Sequence, residues 1–204
     1  MELPPRLRRP GRLHYRYRGH HGQPRPVSQV VNGEPDQIAA RLPRQLDLSQ
    51  RHNWQPPLSG DIDIRIDCHG RWFHCGDPFT REKIVHLFCQ LLRRNGDDYF
   101  LVTPVEKWRI QVEAAPLLVT EVDVDGDELL FTSNDGSQFQ LDEQHQLSSL
   151  PYRDGTLPVV EVRDGLLALL PRHYYYRLAE LVHWQHGCAW LGAGNQRQQL
   201  PMLE

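Results

Sequence analysis

The stretch Gly60–Cys75, "GDIDIRIDCHGRWFHC", decides how the fold begins. Ile62, Ile64 and Ile66 alternate with Asp61, Asp63, Arg65 and Asp67, the period-2 pattern of a strand with one buried face. His69-Gly70 follows as a two-residue hairpin turn, with glycine supplying the positive φ such a turn needs. The turn fixes the register. Cys68 then faces Arg71, Asp67 faces Trp72, Ile66 faces Phe73, Arg65 faces His74 and Ile64 faces Cys75. One face therefore carries Ile64, Ile66, Phe73 and Cys75, and the other Asp63, Arg65, Asp67, Trp72 and His74.

Two cysteines and two histidines in so short a run invite a zinc reading. The register argues against it: Cys68 and Cys75 lie four ladder positions apart, roughly 13 Å at ~3.3 Å per residue, and His74 points to the opposite face from Cys75. Neither one metal ion nor a disulfide spans that gap. The cysteines, Cys75 included, are expected to be reduced core residues, with no metal and no cofactor.

The chain of 204 residues, 39% of them hydrophobic, is long enough for one substantial core or two small ones. It has no apolar run of the roughly 18 residues that a membrane helix needs, and its Arg-rich start lacks the apolar segment of a secretory leader. A cytoplasmic protein without a membrane partner is the expectation, and four cysteines without framework spacing agree with a reducing compartment. The net charge of −3 conceals an asymmetry: residues 1–26 hold seven arginines against Glu2, and the remainder holds 16 basic and 25 acidic residues. A uniformly basic nucleic-acid-binding domain is excluded, though a basic arm is not, and no specific nucleic-acid partner is expected. Residues 1–34 read as a disordered Arg-rich tail, dispensable for folding.

Two units follow. The first, 35–113, opens with a short helix in "EPDQIAARL" and a linker in "SQRHNWQPPLSG". After the hairpin, "GDPFTREKIVHLFCQLLRRNG" reads as a helix, with Ile84, Phe88 and Leu91 on its apolar stripe, Arg93 and Arg94 at its negative end and Asn95-Gly96 as its stop. Strand-like "YFLVTPVEKWRIQVE" comes next, interrupted at Pro104. The second unit, 114–204, begins as a β-meander punctuated by Asp125-Gly126 and Asp135-Gly136. It ends in "PVVEVRDGLLALLPRHYYYRLAELVHW", which repeats the strand, turn, strand and helix of the first unit in pattern. The fold class is α+β, with duplicated β-hairpin–helix–strand units.

At "GDIDIRI", "RWFHCGDPFTREKIVHLF" and "YFLVTPVEKWRIQVE" the sequence resembles the bacterial family called domain of unknown function 1285, over roughly residues 55–204. The resemblance implies an α+β fold with a duplicated core and a C-terminal half resembling a pleckstrin-homology-like barrel. It also implies a site between the halves for a nucleotide-like ligand and a role in signal transduction, and brings no activity with it. This chain carries "CHG" at the hairpin turn where an Asp-Gly type is usual.

Candidate binding residues follow from the polar hairpin face. Asp61, Asp63, Arg65, Trp72 and His74 combine an aromatic plane, a cation and carboxylates, a set suited to a base, a phosphate and ribose hydroxyls. Arg81, at the start of the helix, adds a phosphate contact at its positive end. Thr103, Glu106 and Lys107 flank the break at Pro104, where unpaired backbone lines a crevice. No nucleophile elbow, HExxH or phosphate-loop motif is present. The expected function is a non-catalytic module for a nucleotide-like or other anionic small molecule. A protein-interaction adaptor is the alternative, and a hydrolase built from Asp63, His74 and Glu106 stands third.

Overall fold

A computed structural model describes residues 35–41, 46–126, 128–194 and 197–203; the Arg-rich stretch read as a tail lies outside them. The alternating isoleucines form β1 (Leu58–Ile66), followed by β2 (Trp72–His74) and β3 (Asp77–Pro78). Helix α2 (Glu82–Leu91) leads to β4 (Leu92–Asn95), β5 (Asp98–Val102) and β6 (Lys107–Val112). These six strands form one sheet in the order β3-β2-β1-β6-β5-β4, antiparallel except for the parallel centre β1–β6. A second run, β7 (Leu117–Asp125), β8 (Glu128–Ser133), β9 (Gln138–Gln140), β10 (Leu147–Tyr152), β11 (Gly155–Arg163) and β12 (Leu166–Leu169), builds a second six-stranded sheet. Its order is β10-β11-β12-β7-β8-β9, again with a parallel pair at the centre, between the first and last strands of the run. Helix α3 (Arg172–Glu180) then leads to a small sheet of β13 (His183–Gln185), β14 (Cys188–Leu191) and β15 (Gln198–Gln199). The chain is α+β.

One apolar core serves both sheets. Ile62, Ile64 and Ile66 from β1 and Phe88 and Leu91 from α2 join Val119, Phe131, Val160 and Leu178 in a single buried cluster. A smaller cluster around Ala115, Leu150, Val159 and Leu169 closes against Cys68, Leu118 and Tyr152. Among the described residues no helix is long and apolar enough to cross a membrane.

The first hairpin forms where expected but in a different register. Ile64 pairs with His74, Arg65 with Phe73 and Ile66 with Trp72, a slip of one residue that sends every β2 side chain to the other face. The cause is Asp67. Its backbone pairs with Arg71 (N–H to O, 3.0 Å), and its buried Oδ1 accepts the amides of His69 and Arg71, both at 2.9 Å. The carboxylate thereby stabilises a three-residue loop, Cys68-His69-Gly70, with Gly70 at φ +75°. Trp72 consequently packs inside against Phe79 and Phe88, while Phe73 lies on the outer face beneath the Arg65 guanidinium, 4.3 Å from its ring centroid.

Two further expectations are corrected. The helix stops at Leu91, and Arg93 and Arg94 continue as β4, so that Asn95 ends a strand and Gly96-Asp97 turns a hairpin between β4 and β5. Cys75 is exposed, with a positive φ of 50°, and of the four cysteines only Cys89 is buried. Cys75→Ala should therefore change unfolding free energy by no more than about 0.5 kcal/mol in chemical denaturation; a loss of several times that would place the side chain in the core after all.

Candidate functional site

The nine residues singled out by sequence do not form one site. Asp61 and Asp63 are exposed on the outer face of the first sheet with Arg65, whereas Trp72 and His74 take the inner face opposite Ile66 and Ile64. Trp72, 3% exposed, is a core residue and is not available to stack on a ligand. His74 tilts against Phe79, and its Nε2 lies 3.4 Å from the Cys75 sulfur. Arg65 pairs with Glu113 at 2.5 Å. Glu113 also accepts the Cys68 amide (3.2 Å) and the Tyr152 hydroxyl (3.4 Å), tying the hairpin to the second sheet. Burial, followed by the Cys68 contact, pushes the Tyr152 phenol up to about 12. Asp61 meets Arg109 at 3.3 Å.

Arg81 precedes α2 and pairs with Asp36 of the short helix α1 (Pro35–Arg41) at 3.0 Å. Thr103 is buried, and its hydroxyl oxygen accepts the amides of Val105 (3.3 Å) and Glu106 (2.9 Å), closing the turn between β5 and β6. Glu106 accepts the Trp108 indole N–H at 3.3 Å. The Lys107 ammonium sits over Phe100, 4.1 Å from the ring centroid. Asp63, His74 and Glu106 do not converge, since Asp63 and His74 occupy opposite faces.

A cavity of about 270 Å³ opens instead between the halves. Its wall combines a short 3-10 helix (Leu48–Asn53) and Trp54, the end of α2 with β4, and the turn between β11 and β12. Arg51, Arg93, Arg94 and Arg163 line it together with His52, against the single carboxylate of Asp164. None of the nine sequence candidates contributes.

Each arginine arrives by a different route. Arg163 reaches from β11 across to α2, donating to the carbonyls of Cys89 (2.9 Å) and Leu92 (3.2 Å) where the helix ends. A cation there meets the negative end of the helix dipole. Its Nε donates to the buried Asp135 carboxylate at 3.1 Å. Arg93 donates to the carbonyls of Arg51 and Trp54, and Arg94 to those of Gly96 (2.9 Å) and Gly165 (3.2 Å). The Arg51 guanidinium has no hydrogen-bond or ion-pair partner among the described residues. Burial and then the neighbouring Arg163 lower its pKa, against the opposing pull of Asp135 and Asp164. The cavity thus holds cationic charge in excess of its carboxylates, with guanidinium donors suited to phosphate or carboxylate. Among the described residues no group of three His, Cys, Asp or Glu side chains is placed to hold a metal ion.

Sequence reasoning missed this set for a definable reason. Arg51 stood in a linker, Arg93 and Arg94 had the helix end as a sufficient explanation, and Arg163 was one charge in a strand. Three of the four bind backbone carbonyls, which leave no mark in a sequence.

Comparison with known proteins agrees with the resemblance. The family models "Domain of unknown function (DUF1285), N-terminal domain" and "Protein of unknown function (DUF1285), C-terminal domain" match residues 51–115 and 116–199. The crystal structure of a DUF1285 family protein from Silicibacter pomeroyi DSS-3 is 34% identical, with a TM-score of 0.74 over 83% of this chain and 96% of that one. A DUF1285 family protein from Shewanella baltica OS155 is 30% identical, with a TM-score of 0.47 over 57% of this chain and 90% of that one. No curated protein matches. With both family models matched in sequence order and a relative aligned over nearly its whole length, the chain belongs to the DUF1285 family.

Proposed function

We propose that the protein is a non-catalytic binding module for a small anion, phosphorylated and nucleotide-like, held in the cavity between its halves and serving a regulatory, signal-transducing role in the cytoplasm. The observation that carries this reading is the Arg51 guanidinium, partly buried in that cavity beside Arg163 and making no ion pair or hydrogen bond with a described residue, the carboxylates of Asp135 and Asp164 acting on it only from farther off. A cation so placed lowers the stability of the empty protein, and an anion bridging it to Arg94 or Arg163 relieves the repulsion. The partly buried indole of Trp54 offers a plane for a flat ring. On this reading the units 35–113 and 114–204 are the two walls. The shared strand order of their sheets favours a duplicated core, and the curled second sheet is the part to compare with a pleckstrin-homology-like barrel.

The test is calorimetry and thermal shift on the full chain with inorganic phosphate, pyrophosphate, AMP and adenosine. The phosphorylated probes are expected to bind saturably and raise Tm, and adenosine is not. Arg51→Ala should weaken binding roughly tenfold or more, the value of a charge-assisted hydrogen bond, without lowering the Tm of the unliganded protein. If no anion binds at millimolar concentration, or if the variant binds as the wild type does, the reading is lost.

One observation favours the adaptor reading: Trp184, 68% exposed, lies on β13, one of the two edge strands of the small sheet. Exposed aromatics on an open edge suit strand addition by a partner. Pull-downs with Trp184→Ser would separate this role from the cavity.

A further inference from the structure

We propose that the segment Leu48–Trp54 is a lid over the cavity, latched by Arg93 and drawn closed when an anion bridges Arg51 to the other cations of the wall. The inference rests on the anion-site reading above and adds a moving part to it.

The lid is weakly built. It is a 3-10 helix, a form with poor hydrogen-bond geometry, and none of Leu48–Asn53 is fully buried. The backbone bonds that cap its two ends are long, 3.2 Å from the Gln50 amide to Asp47 and 3.3 Å from the Trp54 amide to Arg51. Leu48 and Trp54 pack partly against the core and anchor the two ends. Besides that packing, the only hydrogen bonds from the described body to Leu48–Trp54 are the two that Arg93 donates to the carbonyls of Arg51 and Trp54. Arg93 itself stands on β4, in ladder register with Phe100, so the latch post is held by a strand ladder and the latched segment is not.

Charge sets the direction of the motion. Closing the lid brings Arg51 into a partly dry wall beside Arg163, whose own charge is matched by Asp135. Empty, the closed position carries the burial of Arg51 and its repulsion from Arg163, which Asp135 and Asp164 offset only in part; an anion between the guanidiniums turns the repulsion into an attraction. Segments with few buried contacts and few tertiary hydrogen bonds open at small free-energy cost, so a modest electrostatic term shifts the balance.

Hydrogen exchange on the full chain tests this. In anion-free buffer the amides of 48–54 should exchange faster than those of β5 and β6. Arg93→Ala should accelerate them further by roughly tenfold or more, the equivalent of one charge-assisted hydrogen bond, and Arg93→Lys, which keeps the charge but not the planar fork, should fall between. Millimolar inorganic phosphate or AMP should slow exchange of the lid in the wild type and not in Arg51→Ala. Lid amides as slow as those of β5 and β6 without anion would overturn the lid while leaving calorimetric anion binding intact. Anion binding that leaves lid exchange unchanged would overturn it as well. Absence of any calorimetric binding would remove the anion site and the gating together.

Discussion

Arg163→Met is expected to lower the unfolding free energy by about 3–5 kcal/mol in urea denaturation at neutral pH, the cost of leaving a buried charge without its partner. The Asp135 side chain is 1% exposed and that of Arg163 11%, so the carboxylate left behind has no bulk water to fall back on. Met fills much of the volume but donates nothing. It strands the carboxylate and also removes the donors that satisfy the Cys89 and Leu92 carbonyls at the end of α2. The damage falls on the contact between the halves, because Arg163 belongs to β11 and the carbonyls to α2 and β4. Asp135→Asn should cost less, since the amide oxygen still accepts from the Ser133 hydroxyl (2.5 Å) and the Ser137 amide (3.0 Å).

The same pair sets part of the acid limb of stability. Burial opposes ionisation of Asp135, but the Ser133 and Ser137 hydrogen bonds and Arg163 outweigh it and hold the carboxyl below its ordinary pKa. A depressed folded-state pKa contributes stability above the unfolded value of about 3.9, and that contribution is lost as pH falls through the lower folded value. Stability measured against pH should therefore fall less steeply below about pH 4 in Asp135→Asn than in the wild type. Parallel curves would mean that the carboxylate is not the group responsible.

The sequence made the elements with one strong period legible and left the contacts between them dark. The isoleucines of β1, the apolar stripe of α2 and the Asp-Gly turns at 125–126 and 135–136 all appear where their patterns placed them. Each is a local preference that the tertiary structure has no reason to override. The register of the first hairpin is different in kind. Counting residues favours a two-residue turn, and only the side chain of Asp67, folded back onto two amides, makes the three-residue loop preferable. The cavity is harder still to read. Arg51, Arg93 and Arg163 meet only after both sheets have closed on a common core, and the carbonyls that position Arg93 and Arg163 belong to residues of no distinctive type.

Trp72→Ala is expected to destabilise the protein by about 3–5 kcal/mol, and its neighbour Phe73→Ala by about 1 kcal/mol. Trp72 fills the space between Phe79 and Phe88, at centroid distances of 6.2 and 6.1 Å, so its loss opens a cavity that the sheet on one side and α2 on the other hold apart. Phe73 is half-buried on the outer face, where its loss removes the ring from under the guanidiniums of Arg65 and Arg71 and opens no enclosed cavity. In the register that a two-residue turn would impose, the order of the two costs reverses, with Phe73 inside and Trp72 outside. Equilibrium denaturation of the two variants therefore distinguishes the registers by the sign of a difference of at least about 2 kcal/mol, well beyond the error of the measurement. The result also bears on ligand recognition. A tryptophan inside the core cannot stack on a base, so on the proposed anion-site reading an aromatic contact falls to Trp54, which lines the cavity and whose carbonyl accepts from Arg93.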